Sequence, residues 1–135
     1  MLAQFEQVAK AVADPSRIRI LKLLELGELC VCQVTMVLGL APATVSKHLS
    51  LLRMAGLATQ RKSGRWVYYG LASRSNNLHA EAMATMIRNA LDDDETIVED
   101  RCRLERVKAV PIETLCAKDV DFTSSGISAN VESSG

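Results

Sequence analysis

The stretch from Cys30 to Leu57 constrains this chain most, because it has the pattern of two short helices joined by a tight turn. Gly39 stands between the helices, where a left-handed helix end favours glycine. Pro42 stands where the second helix should begin, a position that tolerates a missing N–H. Apolar residues recur at helical spacing through both segments. The stretch therefore predicts a helix-turn-helix.

The outer face of the second helix is predicted to be short, polar and cationic, with no acid on it. The residues expected to contact DNA from this helix are Ala43, Thr44, Ser46, Lys47 and His48. Such a face can donate hydrogen bonds to bases and phosphates in a major groove. An ordinary solvated helix face would show the same pattern, so the interpretation depends on the charges around it.

Acidic residues are absent from residues 29–80, although the chain has 16 Asp and Glu in all and a net charge of zero. The same 52 residues hold six basic ones, namely Lys47, Arg53, Arg61, Lys62, Arg65 and Arg74. Residues 81–135 have the opposite balance, with 12 acidic residues against 6 basic ones. A locally positive surface is typical of phosphate binding. The charge pattern therefore favours a DNA-binding face.

Two amphipathic helices are predicted before the helix-turn-helix. Asp14 and Pro15 have the pattern of a helix cap followed by the first helical position. The helix that they begin is expected to turn three aliphatic residues inward and three basic residues outward: Ile18, Leu21 and Leu24, against Arg17, Arg19 and Lys22.

A β-hairpin is predicted after the helix-turn-helix, because the period of the apolar residues changes from helical to alternating. Residues 58–62 and 65–71 have the pattern of strands, with Ser63-Gly64 as the tight turn between them. Three cations lie near the tip of the hairpin: Arg61, Lys62 and Arg65. A hairpin with a cationic tip after a helix-turn-helix is a wing, which can reach the adjacent DNA backbone or the minor groove.

The domain organisation follows from these elements. Residues 1–91 are predicted to form a winged helix-turn-helix and dimerisation domain, residues 92–116 a C-terminal helical extension, and residues 117–135 a disordered Ser- and Gly-rich tail. Residues 78–91 and the first predicted helix, residues 2–13, each carry an apolar stripe, and one small domain cannot easily cover both, so a homodimer is expected. The predicted fold class is mainly α with a small β-hairpin (α+β), dimeric, with an extra C-terminal helix.

The chain has four cysteines: Cys30, Cys32, Cys102 and Cys116. No apolar run approaches the ~18 residues of a membrane span, and polar residues interrupt the N-terminal segment where a signal peptide would be apolar. We therefore expect a cytoplasmic protein without a membrane partner, in a compartment where thiols stay reduced. Cysteines in such a place indicate metal or redox chemistry before structural disulfides.

Four stretches between Ala11 and Leu71 carry a resemblance to a known family. They are ADPSRIRILKLL, GELCVC, TVSKHLSLLRMAGL and RKSGRWVYYGL. Together they resemble the ArsR/SmtB family of metal-responsive winged-helix repressors. The resemblance implies a homodimer that binds operator DNA and is released by a metal or metalloid. GELCVC is most similar to the arsenite-responsive branch, which implies As(III), or the similar Sb(III), as the inducer.

The thiols are the predicted ligands of that inducer. Cys30 and Cys32 are two residues apart, and an ideal helix would rotate one side chain ~200° from the other. Both can therefore bind one ion only if the helix start is extended or distorts. Trivalent arsenic prefers three thiols, and the arsenite branch often has a third cysteine where this chain has Thr35. Cys102 is the expected third ligand, with Cys116 as its substitute, from the same or the partner subunit.

Three alternatives stay open from the sequence. The same repressor would respond to Cd, Pb or Zn, which are also soft enough for thiolates, or to thiol oxidation that forms a disulfide. The third is a thiol oxidoreductase that uses Cys30-Val31-Cys32. No general base accompanies that pair in the sequence, and no Gly-rich phosphate loop or carboxylate pair indicates another enzyme. We therefore expect that the chain is not an enzyme.

Overall fold

The computed structural model describes residues 1–117, which form a mainly helical fold with one three-stranded antiparallel sheet. In chain order the elements are α1 (Leu2–Ala11), α2 (Pro15–Leu24), β1 (Leu29–Cys30), α3 (Val31–Leu38), α4 (Pro42–Met54), β2 (Ala58–Ser63), β3 (Trp66–Leu71), α5 (Leu78–Arg88), α6 (Glu95–Lys108) and α7 (Ile112–Ala117). The architecture confirms the predicted mainly α fold with a small β-hairpin. The predicted disordered tail lies outside the described residues from residue 118 onward.

None of the helices described in residues 1–117 has both the length and the apolar composition needed to cross a lipid bilayer.

The start of α2 has the predicted cap. Asp14 Oδ1 accepts hydrogen bonds from the backbone N–H of Ser16 at 2.8 Å and of Arg17 at 3.2 Å, and Pro15 takes the first helical position. Burial would by itself raise the pKa of Asp14, but the two backbone N–H groups and the Arg17 charge hold that pKa below its usual value. The carboxylate therefore stays ionised and satisfies two N–H groups that have no partner within the helix.

The prediction that Lys22 faces outward is wrong. Its side chain is 1% exposed, and Nζ donates to the carbonyl oxygen of Ile87 at 2.9 Å. The same Nζ forms ion pairs with Glu25 at 3.0 Å and with Asp92 at 3.1 Å. A buried ammonium is tolerated only with such partners. The cluster ties α2 to the end of α5 and to the segment before α6.

Helix α6 packs against both α2 and α3. Arg19 donates from Nε and Nη2 to the two carboxylate oxygens of Asp100 at 2.8 and 2.9 Å, and Asp100 is 2% exposed. Arg103 Nη1 donates to the carbonyl oxygen of Val37, near the end of α3, at 3.0 Å. Leu104 is fully buried in the core. The residues of the predicted C-terminal extension thus share the core of the winged helix-turn-helix.

Helices α3 and α4 form the helix-turn-helix. Gly39 ends α3 with a φ of +70°, and Pro42 opens α4, both as predicted. Leu49 and Leu52 of α4 are fully buried. The apolar periodicity of this segment would also turn Met54 inward, but Met54 is 61% exposed, because it lies ~200° around the helix from Leu52. The other face of α4 is left open to solvent.

The hairpin forms the predicted wing, with its turn one residue later than expected. Ser63 pairs with Trp66, so the two turn residues are Gly64 and Arg65. Gly64 has a φ of +61°, as a two-residue turn with glycine at its first central position requires. The strand β1 was not predicted, because two residues are too few to show an alternating pattern. It pairs with β3, so the order in the sheet is β1-β3-β2.

Candidate DNA-binding surface and thiol site

The outer face of α4 carries the residues that the sequence predicted for DNA contact. Four of the five are exposed and His48 is half-buried. The face forms one wall of an open cleft of about 550 Å³, which is lined by Arg17, Ala43, Thr44, Lys47, His48 and Leu51. None of these residues is acidic, and two carry a permanent positive charge. Arg17 belongs to α2, and no local pattern in the sequence assigned it to this surface.

The wing presents the three predicted cations Arg61, Lys62 and Arg65, all of which are exposed. Arg61 is held by an acid that precedes β1: its Nε and Nη2 donate to the carboxylate of Glu28 at 3.0 and 2.8 Å. The guanidinium carbon also lies 4.9 Å from the centre of the Tyr68 ring. The hydrogen bonds from Arg61 lower the pKa of Glu28, so this wing arginine faces an ionised carboxylate at neutral pH.

Three thiols converge where β1 meets α3. The Sγ atoms of Cys30, Cys32 and Cys116 all lie within 4.8 Å of one another. Cys30 Sγ is 3.9 Å from Cys116 Sγ, and Cys32 and Cys116 form a disulfide with a Cα–Cα distance of 5.6 Å. Cys30 is 2% exposed, and the other two are half-buried. No other group of three or more possible ligands is found in residues 1–117.

The backbone explains how two cysteines at i and i+2 reach the same point. Cys30 is the N-cap of α3 and has extended dihedral angles, with a φ of −76° and a ψ of 149°. Its backbone N–H donates to Gln33 Oε1 at 2.9 Å, which fixes the start of the helix. Only Cys32 lies within the helix proper. An extended helix start was one of the two conditions that the sequence set for a shared ion.

Cys102, the expected third ligand, is not brought to this cluster. It is exposed on α6, because that helix turns Asp100 and Leu104 inward and each lies two residues, or ~200°, away. The third thiol is the substitute, Cys116, which lies on α7 where that helix packs against α3. No local signal in the sequence marks this contact, because it depends on the packing of α7 against α3.

The thiol cluster adjoins elements that contact both parts of the candidate DNA-binding surface, the wing and α4. Cys30 pairs with Tyr68 of the wing strand β3, and Glu28, two residues earlier, holds Arg61 of the wing. Cys30 and Cys32 also begin α3, which packs against α4. A movement of the thiols would therefore also move β1, which pairs with the wing strand β3, and α3, which packs against α4.

The chain is similar to known bacterial regulatory proteins. Residues 14–60 match the family described as bacterial regulatory protein, arsR family. The chain is 41% identical over 105 residues to the arsenical resistance operon repressor of Escherichia coli, which covers 77% of this chain and 79% of that protein. It is 36% identical over 109 residues to the arsenic resistance transcriptional regulator ArsR1 of Pseudomonas putida, which covers 77% and 80%.

The fold is also similar to that of a solved structure, HlyU from Vibrio cholerae. The TM-score is 0.54 and the identity 33%, over 63% of this chain and 88% of that one. The match to the arsenical resistance repressors extends well beyond the helix-turn-helix and includes most of each protein. The chain therefore belongs to the arsR family of bacterial regulatory proteins, and it is a DNA-binding transcriptional repressor rather than an enzyme.

Proposed function

We propose that this repressor binds operator DNA as a homodimer and releases it when As(III) is ligated by the thiolates of Cys30, Cys32 and Cys116. The observation that carries the proposal is the convergence of these three Sγ atoms within 4.8 Å of one another. The similarity to two arsenic-resistance regulators supports arsenite among the soft ions that thiolates bind. Sb(III), which shares this preference for thiols, is expected to act in the same way.

The ligation is a substitution without electron transfer. The three thiols replace the three hydroxyl groups of arsenous acid, so that three As–S bonds form and three As–O bonds break. The three thiol protons leave with the hydroxyl groups as three water molecules. Cys32 and Cys116 must be free thiols for this step, so we expect a response to arsenite only in the reduced protein.

Ligation by all three cysteines would tie α7 to the start of α3. Cys30 is at once the N-cap of α3 and a β1 residue paired with the wing. A shift at this point reaches α4 through α3, and reaches the wing through β3. Coupling free energies of ~1–3 kcal/mol, or about 5- to 150-fold in affinity, are typical between two sites of one protein.

The exposed side of α1 and α5 supports the homodimer. The two helices pack together and leave large apolar side chains uncovered, with Leu2 at 84%, Phe5 at 53%, Leu78 at 69% and Met86 at 60% exposure. Several large apolar side chains exposed on two packed helices are typical of an interaction site. A two-fold dimer would present two copies of α4 to two half-sites of an operator.

Fluorescence anisotropy of a labelled fragment from upstream of the chain's own gene tests the proposal. Reduced protein is bound to the fragment and then titrated separately with arsenite, antimonite, Cd and Zn. We expect arsenite to release the wild-type protein and the Cys102→Ser control alike, whereas Cys116→Ser should need at least about tenfold more. A normal response in Cys116→Ser together with a lost response in Cys102→Ser would contradict the ligand set. Release by Cd or Zn but not by arsenite would contradict As(III).

The disulfide between Cys32 and Cys116 supports a second candidate function, a repressor released by thiol oxidation. Peroxide takes two electrons from the two thiols, which form the S–S bond, and their protons leave with the peroxide oxygens as two water molecules. Cys30→Ser separates the two functions, because Cys30 is a proposed ligand of arsenic but is not part of the disulfide. Release by peroxide that survives in Cys30→Ser and is lost in Cys32→Ser would select the redox function.

A further inference from the structure

Arg17 on α2 contacts His48 on the recognition helix, 31 residues away in the sequence, and its guanidinium is also held by the end of α1. Its Nε donates to the carbonyl oxygen of Ala11 at 2.7 Å, and Nη2 donates to that of Lys10 at 3.1 Å. Its Nη1 lies 3.1 Å from Nδ1 of His48 on α4. The side chain is only 14% exposed. The end of α1 thus fixes the guanidinium, and the guanidinium in turn faces one nitrogen of the histidine ring.

A hydrogen bond between Arg17 Nη1 and His48 Nδ1 at this distance requires one tautomer of the histidine ring. A guanidinium has only donors and keeps its charge in proteins, so Nδ1 must be the acceptor. The ring proton therefore lies on Nε2, on the far side of the ring. An imidazolium would bring an N–H group against an N–H group at this distance.

We infer that Arg17 is a positioning residue that holds His48 as a neutral Nε2–H donor for DNA. The inference rests on the proposed contact between α4 and operator DNA. His48 lines the open cleft on the outer face of α4 beside Thr44 and Lys47. A single neutral donor there selects a hydrogen-bond acceptor of the DNA: a purine N7, guanine O6, thymine O4 or a phosphate oxygen. It does not accept from the amino groups of adenine or cytosine.

Nuclear magnetic resonance of the ¹⁵N-labelled histidines tests the tautomer without DNA. The chain has two histidines, so the variant His79→Gln assigns the signals. We expect His48 in the wild type to carry its proton on Nε2 alone. Arg17→Met, which keeps an apolar stem but has no donor, should populate both tautomers. A proton on Nδ1 of His48 in the wild type would overturn the inference.

Two amide substitutions test the position of the donor on DNA. His48→Gln keeps an N–H group near the place of Nε2, whereas His48→Asn places it near Nδ1. We expect His48→Gln to bind the promoter fragment within about threefold of the wild type, and His48→Asn to bind about tenfold more weakly, the effect of removing one hydrogen bond. Arg17→Met, which leaves part of the His48 population with its proton on Nε2, should bind about two- to threefold more weakly. Equal binding by His48→Asn and the wild type would overturn the inference.

A double-mutant cycle separates positioning from direct contact. If Arg17 acts through His48, Arg17→Met should add little to the loss of affinity when His48 is already Gln. An equal loss in both backgrounds would show that Arg17 contacts DNA itself and would overturn its positioning role. Failure of the proposed DNA contact would appear differently, as absent binding by the wild-type protein with the Nε2–H tautomer intact.

Modified DNA distinguishes a purine N7 from a phosphate oxygen as the acceptor for Nε2. In one series of promoter fragments, 7-deazapurines remove single N7 atoms, and in the other, methylphosphonates remove single charged phosphate oxygens. At the position that His48 contacts, we expect the difference in affinity between the wild type and His48→Asn to disappear. Persistence of the full difference at every position in both series would leave no N7 or phosphate acceptor for Nε2 and would overturn the inference for those two groups.

Discussion

The candidate DNA-binding surface and the thiol site of this repressor differ in how far apart their residues lie in the sequence. The predicted DNA contacts on the recognition helix lie within six consecutive residues, 43–48. The thiol site joins Cys30 and Cys32 to Cys116, and the disulfide partners are 84 residues apart. The first arrangement depends on the geometry of one helix, whereas the second changes with any movement between α3 and α7. In the proposed function, the contacts with DNA would keep a fixed spacing, whereas the thiol site would respond to movement between these two helices.

A third thiol on α3 in place of Cys116 would bring all three thiols within six consecutive residues, as in the predicted DNA contacts of α4. Thr35 lies one helical turn after Cys32, is 1% exposed, and its Oγ1 has no hydrogen-bond partner among the described residues. Cysteine is close to threonine in size, so Thr35→Cys should fold normally. We expect Cys116→Ser to weaken arsenite binding on the order of 100-fold, and Thr35→Cys in that background to recover most of it. Calorimetric titration measures both affinities.

The matched control for this rescue is Thr35→Ser with Cys116→Ser, which adds no thiol. Recovery of arsenite binding in the control as well would show that the thiol at residue 35 is not the cause.

Much of the local structure could be predicted because its causes are local. Asp14, Gly39 and Pro42 mark helix ends through the conformations and hydrogen bonds of their own residues. Lys22 could not be placed in this way, because its burial depends on a carbonyl oxygen of α5 and on Asp92. Hydrophobic periodicity assigns a lysine to the surface, and only tertiary structure supplies the partners that overrule it.

In the candidate sites too, the residues set by local patterns could be predicted, and those set by tertiary contacts could not. The recognition face and the wing cations followed from spacing and charge, and the structure exposes nearly all of them. The choice between Cys102 and Cys116 depended on which face of α6 is buried and on the packing of α7 against α3. Arg17 was missed as a neighbour of His48 for the same reason, because the contact joins two residues that are 31 positions apart in the sequence.

Removal of a cation that binds phosphate should change DNA affinity and leave the response to arsenite unchanged. Lys47 is exposed on α4, so Lys47→Gln should weaken promoter binding about five- to tenfold. Its plot of log affinity against log salt concentration should be less steep by about one for each phosphate that the protein no longer neutralises. The arsenite concentration for half release should stay the same. Lys108→Gln, on the exposed end of α6, is the matched control, and a similar weakening there would argue against a specific role of Lys47.

The smallest expected effect concerns the ion pair between Glu28, which lies near the thiol site, and Arg61 of the wing. Glu28→Gln removes the carboxylate that holds Arg61, so the promoter should be bound about two- to fivefold more tightly at low salt. The gain should fade at high salt, because exposed charges are screened. Because Arg61 lowers the pKa of Glu28, the difference should persist across neutral pH and disappear only in acid. In an Arg61→Gln background the substitution should have no effect, and weaker binding by Glu28→Gln alone would contradict this role.

The coordination of arsenic tests the central claim most directly. X-ray absorption at the arsenic edge counts the sulfur neighbours of As(III) bound at one equivalent to the reduced protein. We expect three sulfur neighbours in the wild type and in Cys102→Ser, and two sulfurs with one oxygen in Cys116→Ser. Three sulfurs in Cys116→Ser, or a loss of sulfur in Cys102→Ser, would contradict a site formed by Cys30, Cys32 and Cys116.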